Sequence, residues 1–164
     1  MSVLNLFGGK ATKPEPYLQY SAKARLYEYQ DLLIVCSVEW IAETESLTVF
    51  ETSVDSTLLG SAALQHLAEY SAAERDLSSH RKKDWPAFRA SGARSVRAFE
   101  RLLWHVDLAL MNSAVLIWAA PRLSLNNEEI SAYASASRHD PEKVGTAIRK
   151  AISAAKALRA QSVV

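Results

Sequence analysis

From Tyr17 the apolar positions recur every second residue. Leu18, Tyr20, Ala22, Ala24 and Leu26 fall on one side, and Gln19, Ser21, Lys23 and Arg25 on the other. That period is the signature of a half-buried strand. Leu32 to Thr44 predicts a second strand, with Ile34, Cys36, Val38, Trp40 and Ala42 on one face and Ser37, Glu39, Ile41 and Glu43 on the opposite face. Glu45-Ser46 is a polar turn into a third strand, Leu47 to Thr52. The period then lengthens. Asp55 or Ser56 is placed to cap a helix in which Leu59, Ala63, Leu67 and Tyr70 recur at helical spacing. Ser71 to Pro86 is irregular and basic. Ser95 caps a short helix with Val96, Phe99, Leu102 and Leu103 directed inward. Trp104, Val106, Leu108 and Leu110 alternate as a strand, and Asn112-Ser113 turns it into Val115–Ala120. Beyond a loop from Pro121 to His139, Asp140 and Pro141 start the clearest helix, whose buried stripe is Val144, Ile148, Ala151, Ile152, Ala155 and Leu158.

Strands joined by short turns pair antiparallel. The expected class is therefore α+β: a mostly antiparallel sheet of about five strands with three or so helices packed on it. Residues 1–16, with Gly8-Gly9 and Pro14 and Pro16, read as a flexible leader, and 17–160 as one domain. Leu59-Gly60-Ser61-Ala62-Ala63 is echoed by Val144-Gly145-Thr146-Ala147-Ile148. A glycine inside a helix costs about 1 kcal/mol relative to alanine, so two at the same place imply close backbone packing, expected against the sheet.

Charge adds what the pattern does not show. Leu26 to Glu74 holds nine acids and neither lysine nor arginine, whereas Arg75 to His105 holds eight bases against three acids. The net charge of +1 conceals this split. An acidic face suggests a basic partner, and an ordinary solvated surface with bases supplied by other segments is the plainer alternative. Glu39 and Glu43 are expected together on the solvent side of the sheet. Glu28, Asp31, Glu39, Glu43, Glu45, Glu51 and Asp55 make up the candidate partner-binding set.

Candidate chemistry is sparse. Cys36, the single cysteine, lies in an apolar run and reads as a small buried hydrophobe in a reducing compartment. His66 reads as a histidine on a helix surface or partly buried. His105 and Asp107 share a strand face and are either an acid–base pair or a surface polar pair, the second being the plainer reading. No cysteine–histidine cluster has zinc-ligand spacing, and neither helix glycine belongs to a phosphate loop. No catalytic residue, metal or cofactor is therefore expected. In the basic segment Trp85 and Phe88 could stack on bases, but Arg94, Arg97 and Arg101 recur as an ordinary solvated helix face. No signal peptide or membrane-spanning run is visible, and a cytoplasmic location is expected.

Two segments together carry a resemblance. Thr48-Val49-Phe50-Glu51-Thr52-Ser53-Val54-Asp55 leads through a capped turn into Leu59-Gly60-Ser61-Ala62. Ser91-Gly92-Ala93-Arg94-Ser95-Val96-Arg97-Ala98-Phe99 is followed by a hairpin and a closing helix with Val144-Gly145-Thr146-Ala147. Over roughly residues 45 to 155 this order resembles the immunity proteins of bacterial contact-dependent growth inhibition systems. The resemblance implies a small α+β cytoplasmic protein, not an enzyme, that binds and neutralises the C-terminal toxin domain of a delivered effector, often a nuclease. It implies no small-molecule substrate and no membrane. A carboxylate array facing a phosphate-binding active site fits that role locally. The alternative is a small nucleic-acid-binding module or enzyme using residues 81–101 and His105/Asp107.

Overall fold

The structure is a computed structural model and describes residues 20–123 and 130–161. The expected leader, 1–16, and the start of the first predicted strand lie outside the described residues. Among the described residues, six strands form one antiparallel sheet: β1 (Ala22–Tyr29), β2 (Leu32–Glu39), β3 (Ala42–Glu51), β4 (Trp104–Met111), β5 (Ala114–Pro121) and β6 (Ala132–Ser137). Their spatial order is β3-β2-β1-β4-β5-β6. Helix α1 (Ser56–Ala68) follows β3 and helix α4 (Pro141–Gln161) follows β6. Between α1 and β4 run a 3₁₀ turn (Lys82–Asp84), α2 (Pro86–Ala90) and α3 (Val96–Leu102). The α+β class holds, with one more strand than expected. That strand, β6, lies inside the stretch read as a loop. Its Ala-Tyr-Ala-Ser-Ala-Ser sequence alternates, but with too few branched or aromatic residues to show in a hydrophobic pattern.

The helix starts follow their capping chemistry. Asp55 Oδ1 accepts from the amides of Thr57 and Leu58 at 2.7 and 3.2 Å, which holds its carboxyl below the usual range. Ser95 Oγ accepts from the Ala98 amide, and Asp140 Oδ1 from the Lys143 amide. Within the predicted stripes, Leu158 and Leu102 depart from expectation, at 44% and 55% exposed.

One face of the sheet carries α1 and α4. Leu26, Leu33, Val35, Val106, Leu108, Val115 and Ile117 pack there against Leu59, Ala63, Val144, Ile148 and Ile152. The two helix glycines explain each other. A Cβ on Gly60 would stand 1.8 Å from the Pro141 carbonyl oxygen, and one on Gly145 would stand 1.9 Å from that of Ser56. The close approach is helix to helix, not helix to sheet as expected: each glycine admits the first turn of the other helix.

That reciprocity belongs to a larger symmetry. Each half of the chain is three antiparallel strands followed by a helix, and the sheet order reads the same from either edge. The first turns of the two halves match, with Gln30 and Asn112 both left-handed at φ 52° and 56°. Counting from those turns makes Arg25 and Asp107 counterparts, and they are also direct partners where β1 meets β4. A pseudo-twofold axis therefore passes through that pair.

Candidate functional site

The outer face of the sheet, opposite α1 and α4, is covered over only part of its area. Tyr27, Tyr29, Ile34 and Cys36 lie under Trp85, Phe88, Phe99 and Leu103, delivered by α2, α3 and their flanks. Phe99 is the hub, with ring centroids 4.9 Å from Trp85, 5.0 Å from Tyr29 and 6.0 Å from Phe88. Trp85 and Phe88, both half-buried, are thereby engaged in holding this layer down. Cys36 is fully buried as expected, and burial beside Glu43 drives its thiol pKa far up. Arg94, Arg97 and Arg101 stand exposed, as a solvated helix face should.

Glu43 is the largest departure from expectation. The second strand does not run to Thr44. It ends at Glu39, the turn falls at Trp40-Ile41 with Trp40 left-handed at φ 56°, and Glu45-Ser46 lies inside β3 rather than in a turn. A bulge between Cys36 and Val38 adds to the shift. Glu43 therefore sits on β3, 7% exposed, not beside Glu39 in solvent. It accepts from the Tyr27 hydroxyl and, at 2.9 Å, from Trp85 Nε1, with Arg25 Nη1 3.9 Å away. Burial first, and the Glu43 charge second, push the Tyr27 hydroxyl well above its ordinary pKa. This buried carboxylate ties the covering layer to the sheet.

The other acids of the candidate set are spread over the molecule. Glu28 pairs with Lys156 of α4 at 2.6 Å, Glu39 with Arg75 at 3.6 Å, and Glu45 with Arg89 of α2. Asp55 is a helix cap. Asp31 and Glu51 are exposed. The bases that the acidic stretch lacks thus arrive from distant segments.

His66 is buried, 1% exposed, and not on a helix surface. Its Nδ1 lies 2.6 Å from Ser37 Oγ and its Nε2 lies 2.9 Å from Thr48 Oγ1. Ser37 donates its single hydroxyl proton to Glu69, which also accepts from Ser46 Oγ. Ser37 must then accept from Nδ1–H, and Thr48 donates to Nε2. Burial lowers the pKa of His66, and the two serine hydroxyls hold that of Glu69 down to about 2. Both imidazole nitrogens are spent on structure.

His105 and Asp107 do share a face, as expected. Their nearest atoms are 3.8 Å apart, too far for a hydrogen bond, and Asp107 lies closer to Arg25 at 3.4 Å. His105 Nδ1 is buried without a hydrogen-bond partner among the described residues, and desolvation lowers the histidine's pKa. No group of three or more metal-ligating side chains occurs among the described residues.

The uncovered part of the outer face is a groove of about 810 Å³ over β1, β4, β5 and β6. Lys23, Arg25, Ala109, Leu116, Trp118 and Ser135 are among its lining, with Trp40, Ile41 and Tyr133 on its rims. Tyr133 is 76% exposed and Ile41 52%, while Trp118 stacks against Tyr133 at 6.4 Å. Exposed large apolar groups gathered in one concavity mark a surface for a partner. The hydrophobic pattern does not reveal it, because β6 carries no strand signature and Ile41 reads as a strand-interior position.

No protein-family profile and no curated protein matches the sequence. Solved structures do share the fold. One is the Protein of Unknown Function NMB0488 from Neisseria meningitidis, with a TM-score of 0.64 and 19% identity over 83% of this chain and 95% of the other. Another is a chain of the CdiA-CT/CdiI toxin and immunity complex from Yersinia pseudotuberculosis, with a TM-score of 0.56 and 15% identity over 80% of this chain and 95% of that one. This chain is thus similar in fold to a member of a toxin–immunity complex.

Proposed function

We propose that the protein is an immunity factor that neutralises the C-terminal toxin domain of a contact-dependent growth inhibition effector by binding it in the bacterial cytoplasm. The observation that carries this reading is the fold shared, over nearly the whole of the other chain, with a member of a CdiA-CT/CdiI complex. The sequence resemblance over roughly residues 45 to 155 points to the same family. The proposed role is binding without catalysis. In support, His66 is locked between two hydroxyls and His105 lacks a hydrogen-bonded carboxylate. A nuclease as the toxin fits only the acids left free for steering, chiefly Asp31 and Glu51, because Glu28, Glu39, Glu43 and Glu45 already have internal partners.

The test is co-expression with the toxin domain encoded directly upstream. Growth should be protected and the two proteins should purify together. Folded, soluble protein that neither protects nor binds overturns the reading. His105→Ala should protect as well as the wild type; loss of protection with stability and toxin affinity intact would restore the enzyme alternative.

A further inference from the structure

We propose that the open groove seats a helical segment of the toxin bearing large apolar or aromatic side chains, as the chain's own 85–103 stretch is seated on the other half. The inference rests on the immunity reading and adds the surface and the kind of segment it takes.

The pseudo-twofold supplies the argument. Counted from the matched turns at Gln30 and Asn112, the counterparts of Tyr27, Tyr29, Ile34 and Cys36 are Ala109, Met111, Leu116 and Trp118. The first four are at most 5% exposed, because Trp85, Phe88, Phe99 and Leu103 cover them. No described segment covers the second patch in that way. Ala109, where the covered half has Tyr27, leaves a hollow between Trp118 and the β1 side of the groove. Tyr133 and Ile41 stand up as its rims. The covered half thus shows what this kind of sheet surface takes: a short helical segment that inserts aromatic side chains, the helix-in-groove mode of recognition. Charge argues against a second copy as occupant. The groove holds Lys23, Arg25 and Asp107, the last two already paired at 3.4 Å, and the segment over the other half exposes Arg94, Arg97 and Arg101, so two copies packed face to face would set Lys23 against those arginines with no unpaired acid of the groove to offset them.

The experiment uses the full chain and two probes. The first is the upstream-encoded toxin domain. Tyr133→Asp with Ile41→Asp, both at exposed rims, should weaken its binding at least 100-fold while the unfolding midpoint stays at the wild-type value. The second is a displayed library of helix-forming peptides with apolar positions at i, i+3, i+4 and i+7, selected on the wild type against the double variant. Peptides with aromatic anchors should be enriched and should compete with the toxin. Toxin binding that the double variant leaves at wild-type strength overturns the groove assignment and keeps the immunity reading. A wild type that binds no toxin overturns that reading, and the library then decides the groove: no enrichment overturns it. Two further results would also overturn it. One is a dimer in sedimentation that the double variant abolishes, which assigns the groove to a second copy. The other is solvent protection of Tyr133 that disappears on deletion of residues 1–19, which assigns it to the chain's own N-terminal segment.

Discussion

The two halves of the outer face start from one architecture and end differently. On the first, Tyr27, Tyr29, Ile34 and Cys36 are roofed by a layer pinned through Glu43. On the second, Ala109, Leu116 and Trp118, three of the four counterparts, line an open concavity. The same strand positions serve stability in one half and offer contact area in the other. The difference comes from where the chain spends its longest connection: 85–103 lies between α1 and β4 and folds back over the first half only.

That contrast predicts opposite outcomes for equivalent aromatic truncations. Phe99→Ala removes the hub of the roof and should cost about 3–5 kcal/mol in denaturant unfolding. Tyr133→Ala should change stability by less than about 0.5 kcal/mol and show its effect in toxin binding. Equal losses of stability would mean that the open half is as much a core as the covered one.

The symmetry of the other face is sharpened by the glycines. Gly60→Ala and Gly145→Ala each drive a Cβ into backbone of the facing helix. Each should destabilise by about 3 kcal/mol, the upper end of overpacking costs. A rise in midpoint at either site would show that the helices part freely there. Next in size is the pin. Glu43→Gln keeps the shape but removes the charge facing Arg25, and should cost about 1–3 kcal/mol. Glu45→Gln, on the exposed Arg89 pair of the same strand, should stay within about 0.5 kcal/mol.

Acid should weaken the helix face in two stages. Burial holds His66 below its ordinary value of 6.5, so the unfolded chain takes up that proton first. This contribution is complete above pH 6.5 and is lost as pH falls below it. His105, also lowered by burial, adds to the same window. Glu69, held down to about 2 from 4.5, loses its contribution only as pH falls from 4.5 toward 2. His66→Gln should shallow the fall of the midpoint between pH 7.5 and 5.5, leaving the part that His105 supplies, and keep the lower stage in place. The smallest effect expected is electrostatic: charge reversal of Asp31 and Glu51 should slow association with a basic toxin, each by about 1 kcal/mol or less and only at low salt.

Local chemistry was readable in the chain. The caps at Asp55, Ser95 and Asp140, the alternation of Ala22 to Leu26, the turn at Asn112 and the burial of Cys36 each depend on neighbours within a few residues. What escaped was set at a distance. The turn at Trp40 sits in an apolar run and has no glycine or proline to announce it. The acidic stretch looks unbalanced because its bases, Arg75, Arg89 and Lys156, lie outside it in sequence. The groove could not be read at all, since it exists only where four strands lie side by side.

The Arg25–Asp107 pair on the pseudo-axis carries a consequence for the independence of the two halves. In an assembly of two identical units, a residue on the axis meets its own copy, so Arg25 would face Arg25 and Asp107 would face Asp107. Joined in one polypeptide, the two positions are free to diverge into opposite charges 3.4 Å apart. The halves are no longer interchangeable: cut apart in the linker after α1, each would repel its own kind at the seam and accept the other.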